Sequence, residues 1–310
     1  MILIPKPGEA LSRSIDDYPD GIILPVDKPY RWTSADVIRK LKFAAIKHFG
    51  KKNLKVGHAG TLDPLATGVL LVCIGNACKK AQQLQDTDKE YIAGIRFGAT
   101  TPSYDLEKDV DRTFPYDHIT EDSVRAALPS FLGEQEQIAP LFSAKSVDGV
   151  RAYELARKLY RSGNVAAIDS AALETLHRSR ITISELELLD FYEAGWVFSP
   201  ESVATLGHIR GRGPAEGWEG SRSDDSGENT HPAGTPSSRI NVSDTAGLGL
   251  PEAVIRIACS KGTYIRAFAR DLGEALGSGA HLGSLVRSRS GQFRVSESLT
   301  VDQALSLLAQ

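Results

Sequence analysis

Between Ser199 and Gly249 the chain passes through a segment rich in Gly, Ser, Pro and charge and poor in aliphatic side chains. Such a stretch cannot bury enough apolar surface to offset the entropy lost on ordering. Any packed body must therefore be assembled from the residues on its two sides. Apolar patterns of strand type stand on both: Ile181-Thr182-Ile183 through Trp196-Val197-Phe198 before it, and Ala253-Val254-Ile255-Arg256-Ile257 after it. The segment reads as a long mobile insertion within one domain, not as a linker between two. The expected organisation is an N-terminal extension over 1–20 and a single domain over 21–310, interrupted at about 199–249.

The remaining pattern is mixed. Gly21-Ile22-Ile23-Leu24-Pro25-Val26 reads as a strand, and Thr33-Ser34-Ala35-Asp36 offers a cap for a helix with Val37, Leu41 and Ala44 on one stripe. Gly68-Val69-Leu70-Leu71-Val72-Cys73-Ile74 is an apolar run of strand length, although periodicity alone also allows a buried helical turn. Tyr91, Ala93, Ile95 and Phe97 alternate as a strand does. Thr120 can cap a helix carrying Val124, Leu128 and Phe131 and ending at Gly133. Asp148-Gly149 is a hairpin-type turn, Ala152 to Tyr160 resumes helix up to Gly163, and Leu299-Thr300-Val301-Asp302 starts a last helix. Hairpins with few regular strand–helix–strand units predict an α+β class: a mixed, largely antiparallel sheet flanked by helices and loops.

Composition narrows the function classes. The three cysteines, Cys73, Cys78 and Cys259, are too few for a disulfide framework and lack zinc-site spacing, so no metal is expected. No phosphate-cradling Gly-Lys-Ser/Thr loop and no dinucleotide fingerprint occurs. The N-terminal apolar run is too short for a signal peptide and no stretch is long enough to span a membrane, which points to the cytoplasm. Asn241-Val242-Ser243 matches a glycosylation sequon, but without an export signal it is read as chance. The formal charge of −3 sits in the Ser199–Gly249 segment, with seven acids against four bases, so the rest of the chain sums to zero. A neutral body can still present a basic face to phosphates.

The densest chemistry lies in Gly57-His58-Ala59-Gly60-Thr61-Leu62-Asp63-Pro64-Leu65-Ala66-Thr67-Gly68. Its glycines permit close backbone approach, and Pro64 turns Asp63 away from helix. A carboxylate fixed in a rigid loop beside a buried strand is a candidate catalytic group. A structural turn with an Asx-type hydrogen bond accounts for the same residues.

This segment resembles the signature of the bacterial tRNA pseudouridine-55 synthase (TruB) family. Asp27-Lys28-Pro29 with Trp32-Thr33-Ser34 resembles the family's N-terminal motif and Lys89-Glu90-Tyr91 its second. Ser260-Lys261-Gly262-Thr263-Tyr264-Ile265-Arg266 resembles the third, and Gly279-Ala280-His281 to Leu285-Val286-Arg287 follows in place. The resemblance covers roughly residues 20 to 300. It implies the pseudouridine-synthase fold and isomerisation of uridine to pseudouridine in tRNA, at position 55 of the T stem-loop, with no cofactor. The N1–C1′ bond breaks, the base turns and rejoins through C5. Asp63 is then the nucleophile or the base that starts the reaction, by ribose attack or through a glycal-like intermediate. Arg266 pairs with it, Asp105 buttresses Arg266, and Tyr91 stacks on the base and assists proton removal from C5. His58 fills the space left by flipped bases, Leu285 packs on the uracil, and Lys28 joins the substrate-binding set.

Lys51, Lys52, Lys55, Lys79, Lys80, Arg287 and Arg289, with Arg294 near them, are expected to contact RNA phosphates. Many family members continue into a small C-terminal RNA-binding domain; with Gln310 last, no such separate domain is expected. No obligate protein partner is implied, so a monomer is expected. The competing readings are a non-catalytic RNA-binding or RNA-chaperone protein on the same fold, and an enzyme of free nucleosides. The trio Asp63, Tyr91 and Arg266 weighs against the first, and the basic clusters against the second.

Overall fold

The computed structural model describes residues 2–143, 146–147, 150–165, 167–176, 178–195, 240 and 242–309. The expected strand at Trp196-Val197-Phe198, the Asp148-Gly149 turn, the sequon Asn241 and most of the expected insertion lie outside the described residues. Thr33 caps the first helix with a reciprocal Asp36 partner, and Gly50 ends it with a left-handed φ of 62°. This helix, α1 (Ser34–Phe49), follows strand β1 (Ile22–Lys28). A short strand β2 (Val56–Ala59) then leads through the Asp63 loop into β3 (Ala66–Ile74), so the apolar run is strand and not helix. Helix α2 (Ala81–Gln85) and strand β4 (Lys89–Phe97) follow, then the small pair β5 (Ala99–Thr100) and β6 (Arg112–Thr113).

Thr120 caps α3 (Glu121–Ala127), which leads to β7 (Gly133–Gln137). A side lobe contains the hairpin β8 (Ser146–Val147) and β9 (Val150–Arg151), with α4 (Ala152–Arg161) and α5 (Ala167–Thr175). Long strand β10 (Ser179–Tyr192) comes before the segment outside the described residues, and β11 (Glu252–Cys259) after it. The chain continues with α6 (Ile265–Ala275), β12 (Ala280–Ser290), β13 (Phe293–Arg294) and α7 (Val301–Leu307).

Nine strands form one sheet in the order β1-β3-β12-β4-β11-β10-β7, with β2 on β3 and β13 on β12. All its pairs are antiparallel except β3 with β12, in keeping with the α+β class expected. Register sorts the side chains because paired residues share a face. Val26 pairs Leu70 and Leu24 pairs Val72, and all four pack under α1 and α7. Leu285 pairs Ala66 on one side and Ala93 on the other, so the same face continues under α3 and α6, where Val124, Phe268 and Leu272 cover Ile95 and Ile255. Two helical layers thus sit on one face, and the loop between β2 and β3 bridges them.

The chain that returns after the expected insertion is packed from Val242 onward, earlier than Gly249. Ser243 donates to Asp109 at 2.5 Å, and Thr245 accepts from Arg96, which also pairs with buried Glu252 at 2.7 Å. Among the described residues no helix is long and apolar enough to cross a membrane.

Candidate active site

The loop joining β2 to β3 is held carbonyl by carbonyl. Arg287 donates to Gly60 O and Thr61 O, both at 3.3 Å, and to Val69 O at 2.7 Å. Ser34 donates to Leu62 O at 3.0 Å and accepts from Leu62 N at 2.9 Å. Ala66 N donates to Asp63 O at 3.1 Å, and Lys28 Nζ to Pro64 O at 3.1 Å. Every carbonyl from Gly60 to Pro64 therefore has a donor, which accounts for a backbone that no ladder satisfies. Gly60 adopts a φ of +94° and Gly68 a φ of +100°. Gly68 also has no room for a side chain, since a Cβ there would lie 2.3 Å from Arg287 O. Its N–H donates to Asp27 at 3.0 Å. The N-terminal motif is thus the cradle of the Asp63 loop.

Two expectations are corrected by this geometry. Lys28 was expected to bind substrate, but it is fully buried and donates to Pro29 O, Trp32 O and Pro64 O. Burial pulls its ammonium down to about 7, against the opposing charge of Asp63. Arg287 was expected to meet phosphate, but it is buried and its donors serve the loop. All three Lys28 donors go to carbonyls, and Arg287, 2% exposed, gives three of its five to Gly60, Thr61 and Val69, so burial keeps both side chains from a surface phosphate.

Asp63 is delivered to a charged cluster. Arg266, buried on the first turn of α6, donates through Nη2 to Asp63 Oδ1 at 3.2 Å and brings Nε to 3.0 Å from Oδ2, a close ion pair in which only the Nη2 contact is an aligned hydrogen bond. Its Nη1 donates to Ser103 O at 3.3 Å and Phe142 O at 3.1 Å, and lies 3.6 Å from Asp105 Oδ2. Burial alone would weaken its hold on a proton, but Asp63, Asp105 and Glu107 outweigh it and push the pKa up. Asp105 is buried and accepts from Ser103 at 2.6 Å and Glu107 N at 2.9 Å. Burial raises its pKa, with Arg266 opposing. Glu107 is raised to about 7 by burial and by neighbouring Asp105. Tyr104, between Ser103 and Asp105, holds a φ of 56°, a left-handed conformation uncommon for a large side chain. This strained turn aims Ser103 O and the Asp105 carboxylate at one guanidinium.

A small, half-open pocket lies on this cluster, lined by Asp63, Asp105 and Arg266 with Leu65, Leu106, Leu282 and Leu285 among its walls. One charged end and leucine walls suit a flat ring with a polar edge. Tyr91 pairs in register with Arg287 and Ile257, so it stands on the same sheet face, half-buried. Burial raises its pKa, with Arg287 opposing, and the phenol keeps its proton at neutral pH. His58, also half-buried, pairs with Val72 on that face. Its pKa is lowered by burial and Arg287, so it is neutral, and its buried Nδ1 has no hydrogen-bond partner among the described residues.

Of the basic residues expected at the surface, Lys52, Lys55, Lys79 and Lys80 are exposed. Exposed Lys51 pairs with Asp16 at 3.2 Å, and half-buried Arg289 donates to Gly291 O at 3.1 Å. Exposed Arg294 lies on β13. Sequence reasoning missed Ser34, Ser103, Leu106 and Glu107. The first lies within a quoted motif and the last three within or next to the Asp105 turn, but none carries a signal of its own.

Comparison with solved structures shows the same fold. A chain in "Structure of H/ACA RNP bound to a substrate RNA containing 2'-deoxyuridine" superposes with a TM-score of 0.51 at 20% identity, covering 93% of this chain and 53% of that one. A chain of a Cbf5-Nop10-Gar1 complex superposes with a TM-score of 0.51 at 22% identity, covering 91% and 54%. This chain spans about half the length of those two. The fold is that of the pseudouridine synthases. The family model described as TruB family pseudouridylate synthase (N terminal domain) matches residues 47–199. A protein of Phocaeicola vulgatus named tRNA pseudouridine synthase B is 40% identical over 286 residues, 92% of this chain and 92% of that protein. Proteins of the same name from Parabacteroides distasonis and Deinococcus deserti are 38% and 35% identical, covering 95% and 90% of this chain and 96% and 77% of theirs. The chain belongs to the TruB family of pseudouridylate synthases.

Proposed function

We propose that this protein isomerises uridine to pseudouridine in tRNA, at position 55 of the T stem-loop, with Asp63 as the catalytic carboxylate. The observation that carries the assignment is the close Arg266–Asp63 ion pair at the charged end of the pocket, backed by Asp105. Binding RNA does not require a carboxylate held this way; breaking and remaking a bond at C1′ does. Arg266 orients Asp63, which either attacks the ribose or promotes a glycal-like intermediate. Tyr91 stacks on the base, and its phenol oxygen relays the C5 proton, accepting it as the hydroxyl proton passes to water. Leu285 packs on the uracil, and neutral His58 occupies the space left by the extruded bases. Exposed Lys52, Lys55, Lys79 and Lys80 contact phosphates, so affinity falls with salt.

The test is tritium release from C5-labelled uridine in unmodified tRNA transcript, comparing wild type with Asp63→Asn, while filter binding reads affinity separately. Release by the wild type, abolished in the variant with binding retained, is the expected result. Tight binding without release by the wild type would leave an RNA chaperone on the same fold. Turnover of free uridine or UMP would point to a nucleoside enzyme.

A further inference from the structure

From Val37 to Gln85 the only acid is Asp63, while seven lysines and arginines fall between Arg39 and Lys55 alone. In a chain of formal charge −3 this is a strong local excess. Much of it lies on α1, outside the group already assigned to phosphate. The core side of α1 carries Val37, Leu41 and Ala45; the opposite side carries Arg39, Phe43 and Lys47 at four-residue spacing, with Lys42 beside them. Arg39 is tied to Asp36 at 3.0 Å, and the Lys40 ammonium sits 5.2 Å over the Trp32 ring. Lys42 and Lys47 are exposed and have no acidic partner among the described residues. Between them stands Phe43, 75% exposed, the most exposed large apolar side chain among the described residues.

The helix that carries this face starts beside the active site. Ser34, the first residue of α1, grips Leu62 next to Asp63, and the helix runs away from the loop for about 24 Å at 1.5 Å per residue. Its layer lies on the same sheet face as the α6 layer that carries Arg266, with the Asp63 loop between. RNA whose target base enters the pocket therefore has this helix as a neighbour. An aromatic ring among lysines is the combination that holds an unpaired base by its face and the adjoining phosphates by charge.

We propose that the outer face of α1, centred on Phe43 with Lys42 and Lys47, is a second RNA-binding surface that engages substrate tRNA outside the T stem-loop and stacks one unpaired base on Phe43. The assignment rests on tRNA being the substrate and names where the rest of that molecule is held. It is tested with Phe43→Ser, Phe43→Leu and the double variant Lys42→Ser/Lys47→Ser. Filter binding is measured on full tRNA and on an excised T stem-loop RNA across a salt series, with tritium release measured in parallel. All three positions are exposed, and circular dichroism confirms folding.

The expected result is about tenfold weaker binding of full tRNA by Phe43→Ser, a base-stacking loss, and a comparable loss in Phe43→Leu, which keeps apolar area but has no π face. The double variant lowers the salt slope by about two, near one per phosphate contact. Binding and turnover of the stem-loop stay at wild-type values. Equal wild-type affinity for the two RNAs, or equal losses on both, overturns the proposal. A dimer that Phe43→Ser splits without loss of tRNA affinity would instead assign the face to a second copy of the chain. Because binding is read without catalysis, a wild type that binds tRNA but releases no tritium sinks the enzymatic reading alone.

Discussion

The substitution Gly68→Ala tests whether backbone packing holds the Asp63 loop. Gly68 has a φ of +100°, and a Cβ there would sit 2.3 Å from Arg287 O, 2.8 Å from its N and 2.9 Å from its C. All three are backbone atoms of the paired strand, so no side chain can swing aside. Holding a non-glycine residue in that region costs about 1–3 kcal/mol, and forcing β3 from β12 adds about 1–3 kcal/mol of overpacking. A total near 4 kcal/mol, at roughly 2–4 °C per kcal/mol for domains of 150–250 residues, lowers Tm by about 8–16 °C. Gly57→Ala is the control in the same motif, because Gly57 has no positive φ and nothing lies within 4 Å of its Cβ position. It is expected to change stability by less than about 1 kcal/mol. Thermal unfolding of both variants, with tritium release measured well below their transitions, gives the comparison. Activity should also fall in Gly68→Ala, because the register that sets Leu285 against Ala66 is displaced. If Gly68→Ala unfolds with Gly57→Ala and keeps wild-type turnover, the close β3–β12 approach is not what places Asp63.

Arg266→Lys keeps a charge but cannot hold Asp63 with one arm of a planar fork while the other serves Ser103 O and Phe142 O; single-turnover tritium release should slow by about 10²–10³ with little change in affinity. A near-wild-type rate would mean that charge without geometry suffices. Glu107 binds its proton more tightly folded, at about 7, than unfolded, at 4.5. Protonated in both states below 4.5, it leaves stability unaffected there, and stability falls as pH rises from 4.5 to about 7 by up to a few kcal/mol at 1.4 kcal/mol per unit. Glu107→Gln should flatten that part of the profile in urea titrations at stepped pH; an unchanged slope would show that another group carries it.

Local pattern determined most of the secondary structure here. The Thr33 and Thr120 caps, the alternation from Tyr91 to Phe97 and the helix from Ala152 are short-range consequences of side-chain chemistry, and the helices and strands appear where that chemistry puts them. Asp63 was legible in the same way, because glycines and a proline around one acid constrain the backbone whatever surrounds it. What depended on distant segments was not. Asp63 and Arg266 are 203 residues apart, and their pairing exists only because α6 lies on the sheet face that the β2–β3 loop crosses. The roles of Lys28 and Arg287 were misread for the same reason. A lysine or arginine near a motif looks like a hand held out to a ligand, and only tertiary burial turns its donors inward to backbone carbonyls. Charge type is written in the sequence; whether a charge meets water, RNA or backbone is decided by what the fold packs against it.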